Sequence, residues 1–201
     1  MRRTKAEAME TRRRILEASF DIFSEKNFSD VSVSEIAEKV GMTKGAIYWH
    51  FRNKEDILVQ IIEDFCARTG ADFVSVHGVP QEIKDLRGYF KSALTMSATD
   101  PDFYKLQKLM LRRHEWTKSL QDRVLGIIRT ASEKERSMID GLLKKAQRDG
   151  SVRKDFDTND VAILISAVFQ GLCILQMANQ LPKDFANQAD FLIDAFTKEL
   201  H

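Results

Sequence analysis

Few residues in this chain interrupt a helix. The 201 residues include only three prolines and nine glycines, and the spans between them carry Leu, Ile, Ala, Lys, Glu and Arg at helical spacing. That pattern is typical of amphipathic α-helices, and no segment shows the alternation expected of a β-strand. The sequence therefore predicts an all-α fold of about nine helices.

Cysteine and long apolar runs are also scarce. The two cysteines, Cys66 and Cys173, lie far apart in apolar, helical surroundings, which favours buried thiols in a reducing compartment over a disulfide framework. The amino end has no apolar stretch after its basic start, and no run approaches about 18 apolar residues. We therefore expect a cytoplasmic protein without a membrane span.

The net charge of +1 conceals an uneven distribution. Residues 1–54 contain 11 basic and 8 acidic side chains, whereas residues 151–201 contain 4 basic and 7 acidic side chains. The amino end is therefore the part suited to a polyanion such as DNA. Six basic residues precede its first apolar stretch: Arg2, Arg3, Lys5, Arg12, Arg13 and Arg14.

Residues for catalysis or metal binding do not cluster in the sequence. His114 and Glu115 are adjacent and so lie on different faces of a helix, without the one-turn spacing of two metal ligands. The four histidines are scattered, and neither a phosphate-binding glycine loop nor a nucleophile signature is present. The sequence predicts no enzyme, no metal site and no cofactor.

A small amino-terminal domain, residues 1–53, and a larger domain, residues 54–201, are predicted from the helix pattern. The first helix covers about Lys5 to Lys26, and Asn27 is expected to close it in the left-handed conformation. Ser32 and Glu35 have the spacing of a capping box that starts the second helix. Later helices are predicted at about residues 54–70, 81–97, 100–113, 118–148, 157–179 and 185–200.

Two short helices in the small domain are joined by a turn that contains Gly41. The second helix, "VSEIAEKV", is followed by "KGAIYWHF", which Thr43 can cap. This arrangement is typical of a helix-turn-helix, whose second helix enters the major groove of DNA. Ile47 and Phe51 are four residues apart and face the core, so Tyr48 and Trp49 face outward.

The last two helices favour an interface. "DVAILISAVFQGLCILQMA" is apolar on nearly all sides, which indicates burial either inside the subunit or against a second subunit. Two such helices from each of two subunits would form a four-helix dimer interface. Candidate interface residues are Val161, Leu164, Val168, Gly171, Leu172, Leu192 and Phe196.

The stretch "TRRRILEASFDIFSEKNFSDVSVSEIAEKVGMTKGAIYWHFRNKEDIL" resembles the DNA-binding domain of the TetR family of bacterial transcriptional repressors. The resemblance covers about the first 60 residues without a gap. Within the family, "TKGAIYWHFRNK" and the later "LMLRRHEW" are similar to the AcrR-like branch, which represses multidrug efflux genes.

The resemblance implies a set of DNA-binding residues. Base reading is assigned to Lys44 and Ala46, with Thr43 as a further candidate, and phosphate contact to Tyr48, His50 and Lys54. The full set is Ser32, Val33, Ser34, Thr43, Lys44, Gly45, Ala46, Tyr48, Trp49, His50 and Lys54. The alternative for the two aromatics is packing against the fourth helix, and for Arg12–Arg14 a solvated helix start.

An apolar ligand cavity in the larger domain is also implied by the family. Ordinary core packing is the competing interpretation of each candidate. The candidates are Phe65, Phe90, Leu94, Met96, Phe103, Met110, Trp116, Phe169 and Met177.

Together these features predict a homodimeric, ligand-responsive repressor that binds a pseudo-palindromic DNA operator. The expected effector is small and hydrophobic, and acids such as Glu115 could select a cationic one. Two other functions stay open: a helical ligand-binding or adaptor protein that does not use its DNA surface, and an activator of the same fold.

Overall fold

The computed structural model describes residues 4–77 and 80–182, together with residues 185, 191, 194 and 198, and gives side chains for these except 70–77 and 177. Within these ranges the secondary structure is helical, with three short 3₁₀ turns at Phe28–Asp30, Ile83–Asp85 and Arg113–Glu115. The α-helices are α1 Lys5–Glu25, α2 Val33–Val40, α3 Lys44–His50, α4 Lys54–His77, α5 Leu86–Thr99, α6 Pro101–Leu111, α7 Lys118–Asp149 and α8 Thr158–Met177. The predicted all-α fold is confirmed, while the expected helix at 185–200 lies largely outside the described residues.

The chain forms two compact units. Unit 1 comprises Met1–Ala67 and Lys105–Ile127, and unit 2 comprises Arg68–Tyr104 and Ile128–His201. Helix α4 runs from unit 1 into unit 2 and is longer than expected, because Gly70 does not end it. The domain boundary at residue 53 stays a prediction.

The core of unit 1 brings together apolar stripes of its first four helices. Side chains with at most 1% of their surface exposed come from each of these helices. They include Ile15 and Phe23 of α1, Ile36 of α2, Ile47 of α3, and Ile57, Leu58 and Ile62 of α4. The apolar side chains of α1 between Ile15 and Phe23 form one buried stripe.

The end of α1 differs from the prediction. Asn27 has φ −63° and ψ 138°, an extended conformation, and not the left-handed one. Helix α1 ends at Glu25 without a left-handed residue. The backbone becomes extended at Lys26, whose N–H still donates to the carbonyl of Ile22. The carbonyl of Ser24, in the last turn, accepts from the side chain of Arg112.

The start of α2 agrees with the prediction only in part. The Ser32 hydroxyl accepts from the backbone N–H of Glu35 at 3.1 Å, as expected of an N-cap. The Glu35 carboxylate does not complete the capping box by accepting from the Ser32 N–H; it pairs with the ammonium of Lys26. A hydrogen bond to the charged ammonium of Lys26 is stronger than one to the neutral Ser32 amide. This bond to Lys26 lowers the pKa of Glu35.

The turn between α2 and α3 is a Schellman motif. Gly41 has φ 72° and ψ 37°, its N–H donates to the carbonyl of Glu38, and the N–H of Met42 donates to the carbonyl of Ala37. This left-handed residue sets the direction in which α3 leaves α2. The predicted helix-turn-helix is therefore present, with α2 at the predicted residues.

The core of unit 2 lies between α5, α7 and α8. The rings of Phe90 in α5 and Phe169 in α8 are stacked, with centroids 3.8 Å apart and planes 28° from parallel. Leu94 of α5, Ile139 and Leu143 of α7, and Ala162 of α8 are fully buried around them.

Helix α8 is apolar over nearly its whole length. Among the described helices it alone, over Thr158–Gln176, is long and apolar enough to cross a membrane, with a mean hydropathy of 1.7. Length and composition are weak evidence for a span, because a core or interface helix of a soluble protein has the same character. No segment long and apolar enough to span a membrane had been predicted from the sequence.

Replacing Gly41 tests the turn. Gly41→Ala should lower the free energy of unfolding by about 1 kcal/mol, because alanine is strained at φ 72° although no atom lies within 4 Å of an added Cβ. Urea unfolding followed by circular dichroism gives the value. The control is Gly141→Ala, in α7 with equally open surroundings, which should raise it by about 0.5–1 kcal/mol. Equal losses in both variants would contradict this account of the turn.

Candidate nucleic-acid interface

Helix α3 is held by one buried face. Ile47 and Phe51 are 1% and 2% exposed, as predicted from their four-residue spacing. The Thr43 hydroxyl accepts from the N–H of Ala46 at 3.2 Å and caps the helix. The other side of α3 is consequently fixed in direction and faces solvent.

The aromatic residues of α3 lie on that solvent-facing side. Trp49 is 73% exposed and Tyr48 is 47% exposed. The Trp49 ring makes an edge contact with the ring of His50, at 4.8 Å between centroids, and the Lys44 ammonium lies 5.9 Å from the Tyr48 ring. Exposure of this size argues against packing on α4 as the role of Trp49.

The amino end of α2 adds a second polar edge. Ser32 and Ser34 are exposed and Val33 is half-buried. The Ser32 hydroxyl satisfies the N–H of Glu35, but the first-turn amides of Val33 and Ser34 have no acceptor within the helix. Such amides at a helix start suit a phosphate oxygen.

Lys54 differs from the other predicted contacts. Its ammonium donates to the carbonyls of Phe28, Ser29 and Val31 at 2.7, 3.1 and 2.9 Å, and lies 4.7 Å from the centre of the Phe28 ring. All three donors of the lysine thus have acceptors inside unit 1. A phosphate contact would have to replace at least one of these bonds.

The model of the family described as "Bacterial regulatory proteins, tetR family" matches residues 15–61. The HTH-type transcriptional repressor BepR of Brucella suis biovar 1 is 31% identical over 175 residues, covering 85% of this chain and 82% of BepR. The chain belongs to the TetR family.

Two further relatives extend the similarity along the whole chain. The "Probable acrEF/envCD operon repressor" of Escherichia coli K12 is 27% identical over 195 residues, or 96% of this chain and 88% of that protein. The solved SmeT–triclosan complex is 21% identical, covers 92% of this chain and 90% of SmeT, and has a TM-score of 0.75. The predicted TetR family, AcrR-like resemblance and regulatory function are confirmed, so this TetR-family chain is a DNA-binding regulator and not an enzyme.

The residues predicted for a ligand cavity are divided between the two units of this TetR-family chain. Phe65, Met110 and Trp116 belong to unit 1. Trp116 is 4% exposed and makes an edge contact with Phe28, at 6.5 Å between ring centroids. It packs against the 3₁₀ turn that follows α1, as expected of an ordinary core residue.

The other cavity candidates lie in unit 2, where three of them fill the core. Phe90, Leu94 and Phe169 are buried, while Met96 and Phe103 are half-buried. The side chain of Met177 lies outside the described residues.

A cavity of about 350 Å³ lies elsewhere in unit 2, between the turn Ile83–Asp85 and the carboxyl end of α7. None of the nine candidates lines it. Its walls include Ile83, Lys84, Leu142, Lys145, Ala146 and Val152.

The interface candidates on α8 include an exposed apolar strip. Leu164 is 59% exposed and Val168 is 39% exposed, whereas Val161, Gly171 and Leu172 are half-buried. Ile163, Ile174 and Leu175 extend the strip and had not been predicted. Leu192 and Phe196 lie outside the described residues.

A polar group in unit 2 is not evident from the sequence. The Tyr89 hydroxyl donates to the Glu135 carboxylate at 3.3 Å, and the Gln170 amide also bonds this carboxylate. Burial raises the pKa of Glu135, of Tyr89 and, to about 11, of Cys173. No spacing signal joins these residues, because they come from three different helices.

Lysine-to-methionine variants separate the roles of Lys44 and Lys54. Lys54→Met should lower the free energy of unfolding by about 1–2 kcal/mol, because three carbonyls lose a charged donor. Lys44→Met should stay within about 0.5 kcal/mol but relax base preference in DNA selection. The measurements are urea unfolding and binding to operator and mismatched DNA. The salt slope, which is the slope of log DNA affinity against log salt concentration, gives the number of phosphate contacts. Unchanged stability in Lys54→Met, with a salt slope smaller in magnitude by about 0.9, would instead make Lys54 a phosphate contact.

Proposed function

We propose that this TetR-family protein is a homodimeric transcriptional repressor of efflux-type genes, released from a pseudo-palindromic operator by a small hydrophobic effector. The proposal rests on the exposed face of α3, which bears Tyr48 and Trp49 and is fixed in direction by the buried Ile47 and Phe51. The protein acts in the cytoplasm, where the operator DNA lies.

The assignment as a repressor is supported by the relatives. BepR and the acrEF/envCD protein are both named as repressors, the second of a particular operon, and their similarity extends well beyond the DNA-binding part. The SmeT structure is a complex with triclosan, which supports a small-molecule effector for the same fold.

Dimerisation is supported by the exposed strip on α8. Leucine, isoleucine and valine side chains between 38% and 60% exposed lie between Ile163 and Leu175 of α8, with the half-buried Gly171 and Leu172 among them. A contiguous apolar surface of this kind is costly in water and is typical of an interface. A two-fold dimer would present two α3 helices to successive major grooves about 34 Å apart, which is why the operator should be an inverted repeat.

Effector control needs only a modest difference in effector affinity between the operator-binding state and the released state. A hundred-fold loss of operator affinity corresponds to about 2.7 kcal/mol of differential effector binding. Helix α4 is the element through which such a change can pass, because it begins in unit 1 next to α3 and continues into unit 2.

The effector proposed for this chain carries a positive charge. Glu135 is a half-buried acid beside Tyr89 in unit 2, and the pKa of its carboxyl is raised by burial. A cation placed next to it would compensate the cost of ionising this carboxylate in an apolar surrounding. The buried rings of Phe90 and Phe169 are stacked, and Phe90 also contacts the ring of Tyr89. A hydrophobic ligand at Glu135 would have to displace one of these rings to gain apolar contact.

Selection of bound DNA from a random pool tests the function. At about 150 mM salt the purified protein should enrich two inverted half-sites, because the dimer carries two reading helices. Finding that sequence upstream of transport genes, with lower transcription when the protein binds, agrees with the proposal. Enrichment without repression would indicate an activator, and no enrichment would favour a helical ligand-binding or adaptor protein.

A lysine on the α8 strip tests the dimer in the same assay. Val168→Lys should sediment as a monomer and lose the preference for two half-sites over one. The matched control is Glu133→Lys, which places the same side chain at an exposed polar position of α7. A Val168→Lys protein that remains dimeric would assign the interface to another surface.

Glu135→Gln tests the charge of the effector. Decyltrimethylammonium should bind the wild type at least about ten-fold more tightly than the variant, since the variant lacks the negative charge, whereas decanol should bind both equally. The raised pKa means that Glu135 gains its proton at a higher pH than usual, so cation affinity should fall as pH falls through that pKa. Calorimetric titration at several pH values measures this. Equal, pH-independent cation binding by both proteins would exclude Glu135.

A further inference from the structure

Arg12 connects three helices of unit 1. Its Nη1 donates to the carbonyl of His50 at 3.0 Å, and its Nη2 donates to Oε1 of Gln60 at 2.6 Å. The guanidinium carbon lies 4.3 Å from the centre of the Phe51 ring. The Arg12 side chain of α1 thus contacts His50 at the end of α3, Phe51 directly after it, and Gln60 in the second turn of α4.

The neighbouring arginines have different contacts. Arg13 is exposed and pairs with Glu10 and Glu17 on its own helix. Arg14 donates to the carbonyl of Val40, at the end of α2. Of these three residues, Arg12 is the one that reaches the recognition helix.

The chemistry of the site favours arginine. The last carbonyls of a helix have no intrahelical donor and carry partial negative charge, and α3 has only seven residues. A guanidinium offers two donors in a fixed fork and a flat face for an aromatic ring, which a lysine ammonium does not.

Gln60 is oriented for this contact. Its Nε2 donates to the Asp64 carboxylate at 3.0 Å, one turn further along α4, so its Oε1 faces Arg12. The bonds therefore run from Asp64 through Gln60 and Arg12 to the end of α3.

We propose that Arg12 is a positioning residue for operator reading, and not a phosphate contact. It holds the carboxyl end of α3 against α4, so that Lys44 and Ala46 meet the base edges in one orientation. The inference rests on the proposed operator binding. It also predicts that Arg12 affects specific binding and leaves non-specific binding unchanged, because only base contacts require this alignment.

Arg12→Lys is the decisive variant because it keeps the charge. Operator affinity should fall about ten-fold, the effect of losing one charged hydrogen bond. Affinity for random DNA should stay within about two-fold, and the salt slope should not change. The matched control is Arg13→Lys, which should behave as wild type. Unchanged operator affinity in Arg12→Lys would overturn the proposal, as would equal losses of affinity for operator and random DNA in a fully folded variant.

Gln60→Met provides a second variant if Arg12→Lys folds poorly. It removes the acceptor on α4 and should also weaken operator binding selectively. The double variant Arg12→Lys/Gln60→Met should be no weaker than Arg12→Lys alone, because both changes break one arrangement. Fully additive losses would show that the two residues act separately and would overturn the proposal.

Amide hydrogen exchange separates this inference from the proposed function. In Arg12→Lys the N–H of Phe51, which donates to the carbonyl of Ile47, should exchange faster than in the wild type, with no change in α2. This readout needs no DNA. If the wild type enriches no operator, the proposed function fails, whereas unchanged exchange at Phe51 overturns the role of Arg12.

Discussion

The carbonyl groups at the ends of short helices are the constraint on which unit 1 depends. Helices α2 and α3 have eight and seven residues, so about half of their carbonyls lack an intrahelical donor. Arg14 and Arg12 of α1 supply donors to α2 and α3. Arg112 does the same for α1, and Lys54 for the 3₁₀ turn before α2. The long helices thereby fix the directions of the short ones, which a helix of two turns could not maintain alone.

The parts of the fold that local chemistry specifies could be predicted from the sequence. The bounds of α2 follow from a serine cap and a glycine that accepts φ 72°, both adjacent to the helix. The exposed face of α3 follows from the spacing of Ile47 and Phe51. Asn27 shows the limit of this reasoning, since the end of α1 is stabilised by a residue 88 positions away from Ser24.

The roles of charged and aromatic residues could not be predicted in the same way. Lys54 was predicted to contact DNA, and Arg12 to be either a DNA contact or part of a solvated helix start. Their partners lie 23 to 48 residues away and include backbone carbonyls, which every residue type carries. Phe65, Phe90 and Trp116 have similar sequence surroundings, yet the structure divides them between two units. Periodicity shows that a side chain is buried and not which neighbours bury it.

The carbonyl bonds of unit 1 have an electrostatic consequence that ion pairs lack. A carbonyl carries no net charge, so Arg12, Arg14 and Lys54 keep their full positive charge while they hold helix ends. Arg13 and Lys26, in contrast, are compensated by carboxylates. Arg12, Arg14 and Lys54 therefore still contribute to the long-range electrostatic field that steers DNA toward the helix-turn-helix. The same side chains serve both the rigidity of the fold and the rate of encounter.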